Sequence, residues 1–339
     1  MIVPLFLYAM RITILAQILF VVSLQITFVQ AQNGKMPLEL VADVPLTGNP
    51  SRLDYQSFDA QSGRLYIAHL GDDMLTVFDV KLQKVIGDVQ DLKRVHGVIA
   101  VPELHRIYAS ATGTNEVAVI NDQTLKVIAR VPAGDYPDGL AYARKEKKLY
   151  VSDLRGKTDT VVDVLTNKVV TTIQMGAPVG NTQYDEATNR IFAAVHKLNA
   201  IIEVDPKTDK IVGTYPLNGC VDPHGLQIDG KNRFAFAACE GNAALAMFDL
   251  NAKKLIAVYP VGDDPDVLAF DTGLRRLYVS AESGVLTIFD EKNNSLELVG
   301  RAFYASKAHT VAVDSDTHRV YLPLENVGGK PVLRIASPR

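Results

Sequence analysis

The sequence predicts an all-β fold, a seven-bladed β-propeller with four-stranded antiparallel blades, because one repeat of about 42 residues recurs along the chain. Each copy carries a basic residue followed at once by an apolar or aromatic run. The seven markers are Arg64, Arg106, Lys148, Arg190, Arg233, Arg276 and Arg319. A second observation is that the last copy lacks a fourth strand, while a spare strand precedes the first copy.

Each repeat is interpreted as four short strands joined by tight polar turns. One strand precedes the basic marker, a second follows it, and a third ends in an acidic or amide residue before a fourth strand. Those strand ends are Asp79, Asn121, Asp163, Asp205, Asp249 and Asp290. An aromatic residue recurs in the second strands and predicts a packing stripe between blades. Its members are Tyr66, Tyr108, Tyr150, Phe192, Phe234, Tyr278 and Tyr321.

The two ends of the chain are predicted to share one blade. The seventh copy stops after its third strand, residues 332–335. Residues 38–45, LELVADVP, resemble the fourth strand KVIARVP of residues 126–132. Pairing the ends removes the open sheet edges that an incomplete ring would leave. The sequence therefore predicts one ring, closed by an N-terminal strand.

The first 31 residues differ in kind from the rest. Arg11 is followed by an apolar run over residues 12–29 and by Ala31, a pattern typical of a cleaved signal peptide. We therefore expect residues 32–339 to form one secreted or periplasmic domain of the cell envelope, with no membrane span after cleavage. A retained membrane anchor is the alternative, because the run is about long enough to cross a bilayer.

Charge argues against nucleic acid as the main partner. Residues 1–31 contain one of the 35 basic residues and none of the 38 acidic ones, which leaves 34 basic and 38 acidic residues. The expected domain is therefore weakly acidic, whereas nucleic-acid binding favours a basic surface. We expect a monomer whose partner is a small molecule or a protein at the propeller mouth.

Two pairs of motifs resemble the YVTN-type family of seven-bladed β-propeller repeats. They are LYVSD at residues 149–153 with LYVSA at 277–281, and GDYPDGLA at 134–141 with GDDPDVLA at 262–269. The resemblance extends over residues 38–336 and implies a secreted or periplasmic bacterial propeller. It implies no single function, because such propellers include binding modules, surface-layer proteins and, in related superfamilies, lactonases and lyases. Asp153 and Ala281 stand where the signature has asparagine.

Counting back ten residues from each marker, or nine in the fifth copy, gives the start of each innermost strand. These positions are expected to face one mouth of the central channel: Asp54, His96, Asp138, Gly180, His224, Asp266 and His309. His96, His224 and His309 could together hold a divalent transition metal with an open fourth position. The three aspartates could bind a ligand or orient the histidines.

A simpler interpretation of the mouth needs no metal. Aspartate and histidine side chains at a narrow mouth can pair with each other, and the Asp-Gly and His-Gly dipeptides are typical of turns. No cofactor is therefore certain from the sequence.

A second tier of polar residues ends the second strands: His69, Asp153, His196, Glu240, Glu282 and Glu325. We expect His69, Asp153 and His196 to contribute to ligand binding. Glu240 and Glu282 are the candidates for a general acid or base. The alternative is that such carboxylates are solvated groups on the rim.

The two cysteines, Cys220 and Cys239, flank one hairpin of the fifth blade. Export to an oxidising compartment and the proximity of the hairpin ends predict a disulfide. A metal cluster of both cysteines with His224 is the alternative.

Two functional hypotheses follow. The first is a non-catalytic module that binds a ligand or protein through the His/Asp-rich mouth, because no insertion is long enough to form a lid. The second is a metal-dependent hydrolase or lyase, of the lactonase kind, that uses His96, His224 and His309.

Overall fold

A computed structural model describes residues 36–339, which form seven four-stranded antiparallel sheets. This confirms the predicted all-β, seven-bladed propeller. Within the described residues there is no α-helix, and no helix is long and apolar enough to cross a membrane. The predicted signal peptide, residues 1–31, lies outside the described residues.

The strands follow one another from the inner to the outer edge of each blade. Blade one consists of β2 (Gln56–Asp59), β3 (Arg64–His69), β4 (Met74–Asp79) and β5 (Lys84–Val89). Blade two consists of β6 (Val95–Val101), β7 (Arg106–Ala111), β8 (Glu116–Asn121) and β9 (Val127–Pro132). Blade three consists of β10 (Pro137–Ala143), β11 (Lys148–Asp153), β12 (Thr158–Asp163) and β13 (Lys168–Gln174). Blade four consists of β14 (Val179–Asp185), β15 (Arg190–Val195), β16 (Ala200–Asp205) and β17 (Lys210–Pro216).

The remaining three blades include the closing blade. Blade five consists of β18 (Pro223–Asp229), β19 (Phe234–Cys239), β20 (Ala244–Asp249) and β21 (Lys254–Pro260). Blade six consists of β22 (Pro265–Asp271), β23 (Arg276–Ala281), β24 (Val285–Lys292) and β25 (Ser295–Phe303). Blade seven consists of β26 (Ala312–Asp314), β27 (Arg319–Val327), β28 (Lys330–Pro338) and the N-terminal β1 (Leu38–Pro45). Short 3-10 turns occur at Leu70–Asp72, Pro102–Leu104, Thr112–Thr114 and Glu240–Asn242.

The ring closes as the sequence predicts. β1 pairs antiparallel with β28, with Leu38 opposite Pro338 and Pro45 opposite Val332. On the other side of the blade, β26 contacts both β22 and β2, so the seventh inner strand joins blade six to blade one. The chain ends therefore complete one sheet.

Acidic residues at strand ends build the turns that the repeat pattern indicated. Asp163 accepts hydrogen bonds from the backbone amides of Leu165 and Thr166, at 2.9 and 2.8 Å. Asp79 and Asp249 make the same contacts with the amides two and three residues ahead. Such turns satisfy amides between antiparallel strands, which explains why aspartate or asparagine recurs there.

The core lies between blades, and its aromatic stripe corrects one sequence assignment. In each buried cluster, side chains of two neighbouring blades pack together, as Tyr66 packs with Ile107. In blade five the stripe position is held by Phe236 rather than Phe234. Phe234 pairs with Asp249 and so takes the place that the basic marker has in the other blades, two residues before the stripe position. Arg233 lies in the preceding turn with φ of 66° and donates to Asp185. The turn of blade five is therefore not one residue short.

The predicted disulfide is confirmed. Cys220 and Cys239 are bonded, with Cα atoms 5.3 Å apart, and both are buried. The bond joins the loop after β17 to the end of β19, immediately before Glu240. It therefore fixes the part of blade five that borders the channel mouth.

Candidate functional site

The inner strands approach one another so closely that two of the mouth positions must be followed by glycine. A Cβ atom on Gly97 would lie 2.0 Å from the carbonyl oxygen of Asp138, and one on Gly225 would lie 1.8 Å from that of Asp266. Neither glycine has a positive φ. These glycines therefore serve close strand packing rather than the turns that their dipeptides suggest.

A repeated turn aims the mouth side chains into the channel. The residue two places before a mouth position has a left-handed backbone at five blades: Arg94, Tyr136, Asp222, Asp264 and Lys307. In blades two and seven the carbonyl of this residue lies 2.8 Å from Nδ1 of His96 and 3.0 Å from Nδ1 of His309. A carbonyl only accepts, so Nδ1 donates and Nε2 of the neutral ring keeps its lone pair.

The mouth contains a small acidic cavity of about 210 Å³. Seven of the predicted site residues line it: Asp54, His96, Asp138, His224, Glu240, Asp266 and Glu282. Five other residues complete the lining: Arg52, Tyr55, Tyr136, Leu154 and Asp264. Six carboxylates thus face the cavity together with a single arginine.

His224 makes contacts around the cavity through both ring nitrogens. Its Nδ1 lies 3.0 Å from Nε2 of His196 and 3.4 Å from a carboxylate oxygen of Glu240. Its Nε2 lies 3.1 Å from the hydroxyl of Tyr55, which accepts a hydrogen bond from the side-chain amide of Asn181. The contact between Tyr55 and His224 joins blade one to blade five across the channel.

Two buried aspartates also approach this imidazole. Nε2 of His224 lies 3.7 Å from Asp138 and 3.6 Å from Asp266. Burial raises the pKa of Asp138 to about 7, although His224 opposes the shift. Burial, with the neighbouring charge of Asp54, raises the pKa of Asp266 well above its usual range.

Burial shifts the pKa values of Glu240 and His196 in opposite directions. Burial, followed by the charge of Asp264, raises the pKa of Glu240 to about 8. Burial and then the neighbouring His224 lower the pKa of His196 to about 4. At neutral pH His196 is therefore uncharged and Glu240 retains a proton for much of the time.

Arg52 is the one guanidinium at the cavity. It lies 2.6 Å from Glu282 and 3.4 Å from Asp54. Its single positive charge is thereby shared between two of the six carboxylates. Glu282 is consequently held in an ion pair, while Glu240 has no arginine or lysine within salt-bridge distance among the described residues.

The three histidines predicted to bind one metal ion lie in three separate sets of contacts. In the described part of the chain, two groups bring three ligand atoms within 4.8 Å of one another: Asp54 with Asp266 and His309, and His196 with His224 and Glu240. His96 belongs to neither, and its Nε2 lies 3.0 Å from the hydroxyl of Tyr136. His96, His224 and His309 are thus not brought together as one ligand set.

Three predicted ligand-binding residues, His69, Asp153 and His196, lie outside the cavity lining, although His196 contacts the lining residue His224. His69 is fully buried and its Nε2 lies 3.0 Å from the hydroxyl of Ser51. Asp153 is also fully buried and accepts hydrogen bonds from the amide of Gly134 and the hydroxyl of Thr160. His69 and Asp153 are the last residues of their second strands, whereas the cavity residues Glu240 and Glu282 stand one residue beyond theirs.

Four lining residues were not predicted from the sequence: Arg52, Tyr55, Tyr136 and Asp264. Three of these, Arg52, Tyr136 and Asp264, lie two places before a predicted mouth position. The shared offset is a signal in the sequence, because the turn before an inner strand borders the same cavity as the strand. Tyr55 directly follows Asp54 and carried no repeated pattern.

Comparison with known proteins agrees with this fold. Residues 59–190 match the YNCE-like beta-propeller family. This is a YVTN-type propeller family, so the resemblance inferred from the sequence motifs is confirmed. No curated protein sequence matches the chain.

Solved structures show the same fold at low sequence identity. Hydrazine synthase of Kuenenia stuttgartiensis has a TM-score of 0.72 and 16% identity, covering 85% of this chain and 96% of that chain. The WD40 repeats of RRP9 have a TM-score of 0.76 and 10% identity, covering 89% of this chain and 100% of that one. The structure of U3-55K has a TM-score of 0.75, again with 10% identity. These similarities concern the fold and carry no function to this chain.

Proposed function

We propose that this chain is an exported, monomeric propeller that binds a small positively charged ligand at its channel mouth. The observation that carries the proposal is the cavity of about 210 Å³, which six carboxylates and one arginine line. Pockets for drug-sized molecules are typically about 300 Å³ or larger, so the size favours a ligand of few atoms.

Electrostatics favours a cation in this cavity. Burial first, and neighbouring carboxylates after it, disfavour ionisation and raise the pKa values of Asp138 and Glu240. A bound cation would stabilise the ionised carboxylates. The same negative potential would repel phosphate groups, which supports the expectation that nucleic acid is not the partner.

Export is supported by the disulfide as well as by the N-terminal sequence. Disulfides form and persist in oxidising compartments and are rare in the cytosol. The buried bond between Cys220 and Cys239 therefore agrees with a secreted or periplasmic location.

A second candidate function, metal-dependent hydrolysis or elimination at the same mouth, is favoured by one feature. Glu240 has a pKa of about 8 and lies 3.4 Å from His224, a pairing that suits proton transfer near neutral pH. The ion pair of Glu282 with Arg52 makes Glu282 the weaker candidate for the base.

Calorimetric titration with a short diamine tests the proposed function. A dicarboxylate of the same length is the matched ligand control, since it reverses the charge and keeps the size. We expect the diamine to bind and the dicarboxylate not to bind. The variants Glu240→Gln and Asp138→Asn should weaken diamine binding about tenfold each, because each removes a carboxyl group that ionises when a cation is bound beside it.

Glu186→Gln is the matched protein control. Glu186 is exposed in the turn that follows β14, at the opposite end of an inner strand from the mouth. Its loss should leave diamine binding unchanged. Equal weakening by Glu186→Gln and Glu240→Gln, or binding of neither a diamine nor a metal ion by the wild type, would contradict the proposal.

A further inference from the structure

We propose that Asp54, Asp266 and His309 form a binding site for one divalent transition-metal ion. The inference rests on the proposed function, because Asp54 and Asp266 also line the acidic cavity. A metal ion is then one cation that the cavity accepts, and these three residues coordinate it.

The geometry is close to a metal site. One ligand atom of each residue lies within 4.8 Å of the other two, and the three residues are 2%, 6% and 0% exposed, in chain order. Metal bonds of about 2.1 Å in a tetrahedron hold ligand atoms about 3.4 Å apart. Side-chain movements of about 1 Å would therefore bring the three groups into coordination.

His309 supplies an independent indication of a ligand. Its Nδ1 donates to the carbonyl of Lys307 at 3.0 Å, which leaves the lone pair on Nε2. Nε2 is buried and has no hydrogen-bond partner among the described residues. A buried acceptor without a partner is costly, and a metal ion would satisfy it.

Asp266 also contributes a buried oxygen, Oδ1, without a hydrogen bond among residues 36–339, and the nearest imidazole nitrogen outside the group, Nε2 of His224, is 3.6 Å from it. Two unsatisfied acceptors from blades six and seven thus accompany Asp54 of blade one, whose Oδ2 is 3.4 Å from Arg52. Because Asp54 and Asp266 border the cavity, an ion can reach the group from the mouth.

Glu282 is placed to support the imidazole rather than to bind the metal. Its carboxylate lies 3.7 Å from Nδ1 of His309, on the same side of the ring as the carbonyl of Lys307. Carboxylates and carbonyls in this position fix the tautomer of metal-binding histidines and increase their basicity. Glu282 is therefore a positioning residue.

The donor set selects the class of metal. Calcium and magnesium prefer oxygen ligands alone, whereas an imidazole nitrogen with two carboxylate oxygens suits zinc, manganese or iron. Three protein ligands leave at least one coordination position for water or a small ligand.

The other group, His196 with His224 and Glu240, suits a metal less well. Nδ1 of His224 is 3.0 Å from Nε2 of His196, so these two nitrogens already satisfy each other. Nε2 of His224 has the hydroxyl of Tyr55 at 3.1 Å. Both ring nitrogens of His224 thus have partners, unlike Nε2 of His309.

Titration with zinc chloride, after a chelator has stripped the exported protein, tests the assignment. We expect one zinc ion per chain in the wild type and affinity at least 100-fold weaker in His309→Ala and in Asp266→Asn. His318→Ala is the matched control, because His318 lies in the turn after β26 and pairs with Asp271 at 2.9 Å. It should bind zinc as the wild type does. Circular dichroism and thermal melting verify the fold of each variant.

X-ray absorption at the zinc edge provides a measurement that needs no substitution. We expect nitrogen and oxygen ligands with one imidazole and no sulfur. Two imidazoles, or loss of zinc in His196→Ala with retention in His309→Ala, would overturn the assignment. Diamine binding without any zinc binding would overturn it too, while leaving the proposed function in place.

Discussion

The carboxylate of Asp153 accepts a hydrogen bond of 2.9 Å from the backbone amide of Gly134, and both oxygens are held inside blade three. Burial nevertheless raises the pKa of Asp153 to about 6, from a usual value of 3.8. The folded state thus binds this proton more tightly than the unfolded state does. Stability is therefore lost as the pH rises from about 4 to about 6, and the loss persists above that range.

Replacing Asp153 with asparagine should remove this loss. Asn accepts the same bond from Gly134 and carries no charge, so Asp153→Asn should gain on the order of 2 kcal/mol at pH 8 and almost nothing below pH 4. Urea denaturation at several pH values measures the difference. Asp163→Asn is the comparison at the end of β12 in the same blade: hydrogen bonds from Thr166 and Leu165 lower the pKa of Asp163, so this variant should lose stability at neutral pH. A gain for Asp153→Asn at pH 4 as large as at pH 8 would refute the electrostatic explanation.

Removing the disulfide should destabilise the protein without changing its fold. In the chain-entropy model a loop of this length, with a sequence separation of 19, contributes about 3 kcal/mol. The double variant Cys220→Ala with Cys239→Ala should therefore unfold at lower urea. Reductant should bring the wild type toward the variant and leave the variant unaffected. Two free thiols in denatured, non-reduced wild type would contradict the bond.

The N-terminal strand should be indispensable. Deleting residues 32–46 removes β1 and the side chain of Leu38, which packs with residues of blades six and seven. We expect no cooperative unfolding transition, because the deletion exposes the edge of β28. Asp43→Asn is the mild comparison: it breaks a partly exposed ion pair with Arg334 and should cost about 1 kcal/mol or less. An unchanged melting transition after the deletion would disprove closure by β1.

Gly225→Ala should be among the most damaging single substitutions. The added methyl would lie 1.8 Å from the carbonyl oxygen of Asp266, so the inner strands of blades five and six would have to separate. We expect a loss of about 3 kcal/mol. Gly230→Ala is the control within the same hairpin, since the nearest atom there is 3.9 Å away. Its cost should stay within about 0.5 kcal/mol, and equal losses for the two variants would rule out this explanation.

The repeat could be recognised from the sequence because each blade uses the same residue types in its turns and strands. Turn aspartates such as Asp79 and second-strand aromatics such as Tyr66 occur at fixed intervals, so strand order followed from spacing alone. Blade five misled the interpretation at one point. A basic residue, Arg233, stands in its turn one place early, and residue type alone does not distinguish a strand position from a neighbouring turn position.

The sequence predicted which residues lie at the channel mouth, but it did not predict which of their side chains touch. Inner strands start at equivalent places, so Asp54, His224 and Asp266 could be assigned to the mouth. Which of them meet depends on packing across the ring, as between Tyr55 and His224, 169 residues apart. Asp153 belongs to the same predicted tier as Glu240 and Glu282, yet it is fully buried in blade three and does not line the cavity.

The pairing of Leu38 with Pro338 places both ends of the described chain side by side in the two outer strands of blade seven. A tether at either end would hold the propeller by the outer strands of blade seven and leave both ends of the central channel free. The cavity at the mouth would then stay open to the surroundings whichever end was attached. For the same reason, a short peptide could join the two ends and the ring could be reopened at another outer loop without moving a single residue of the mouth.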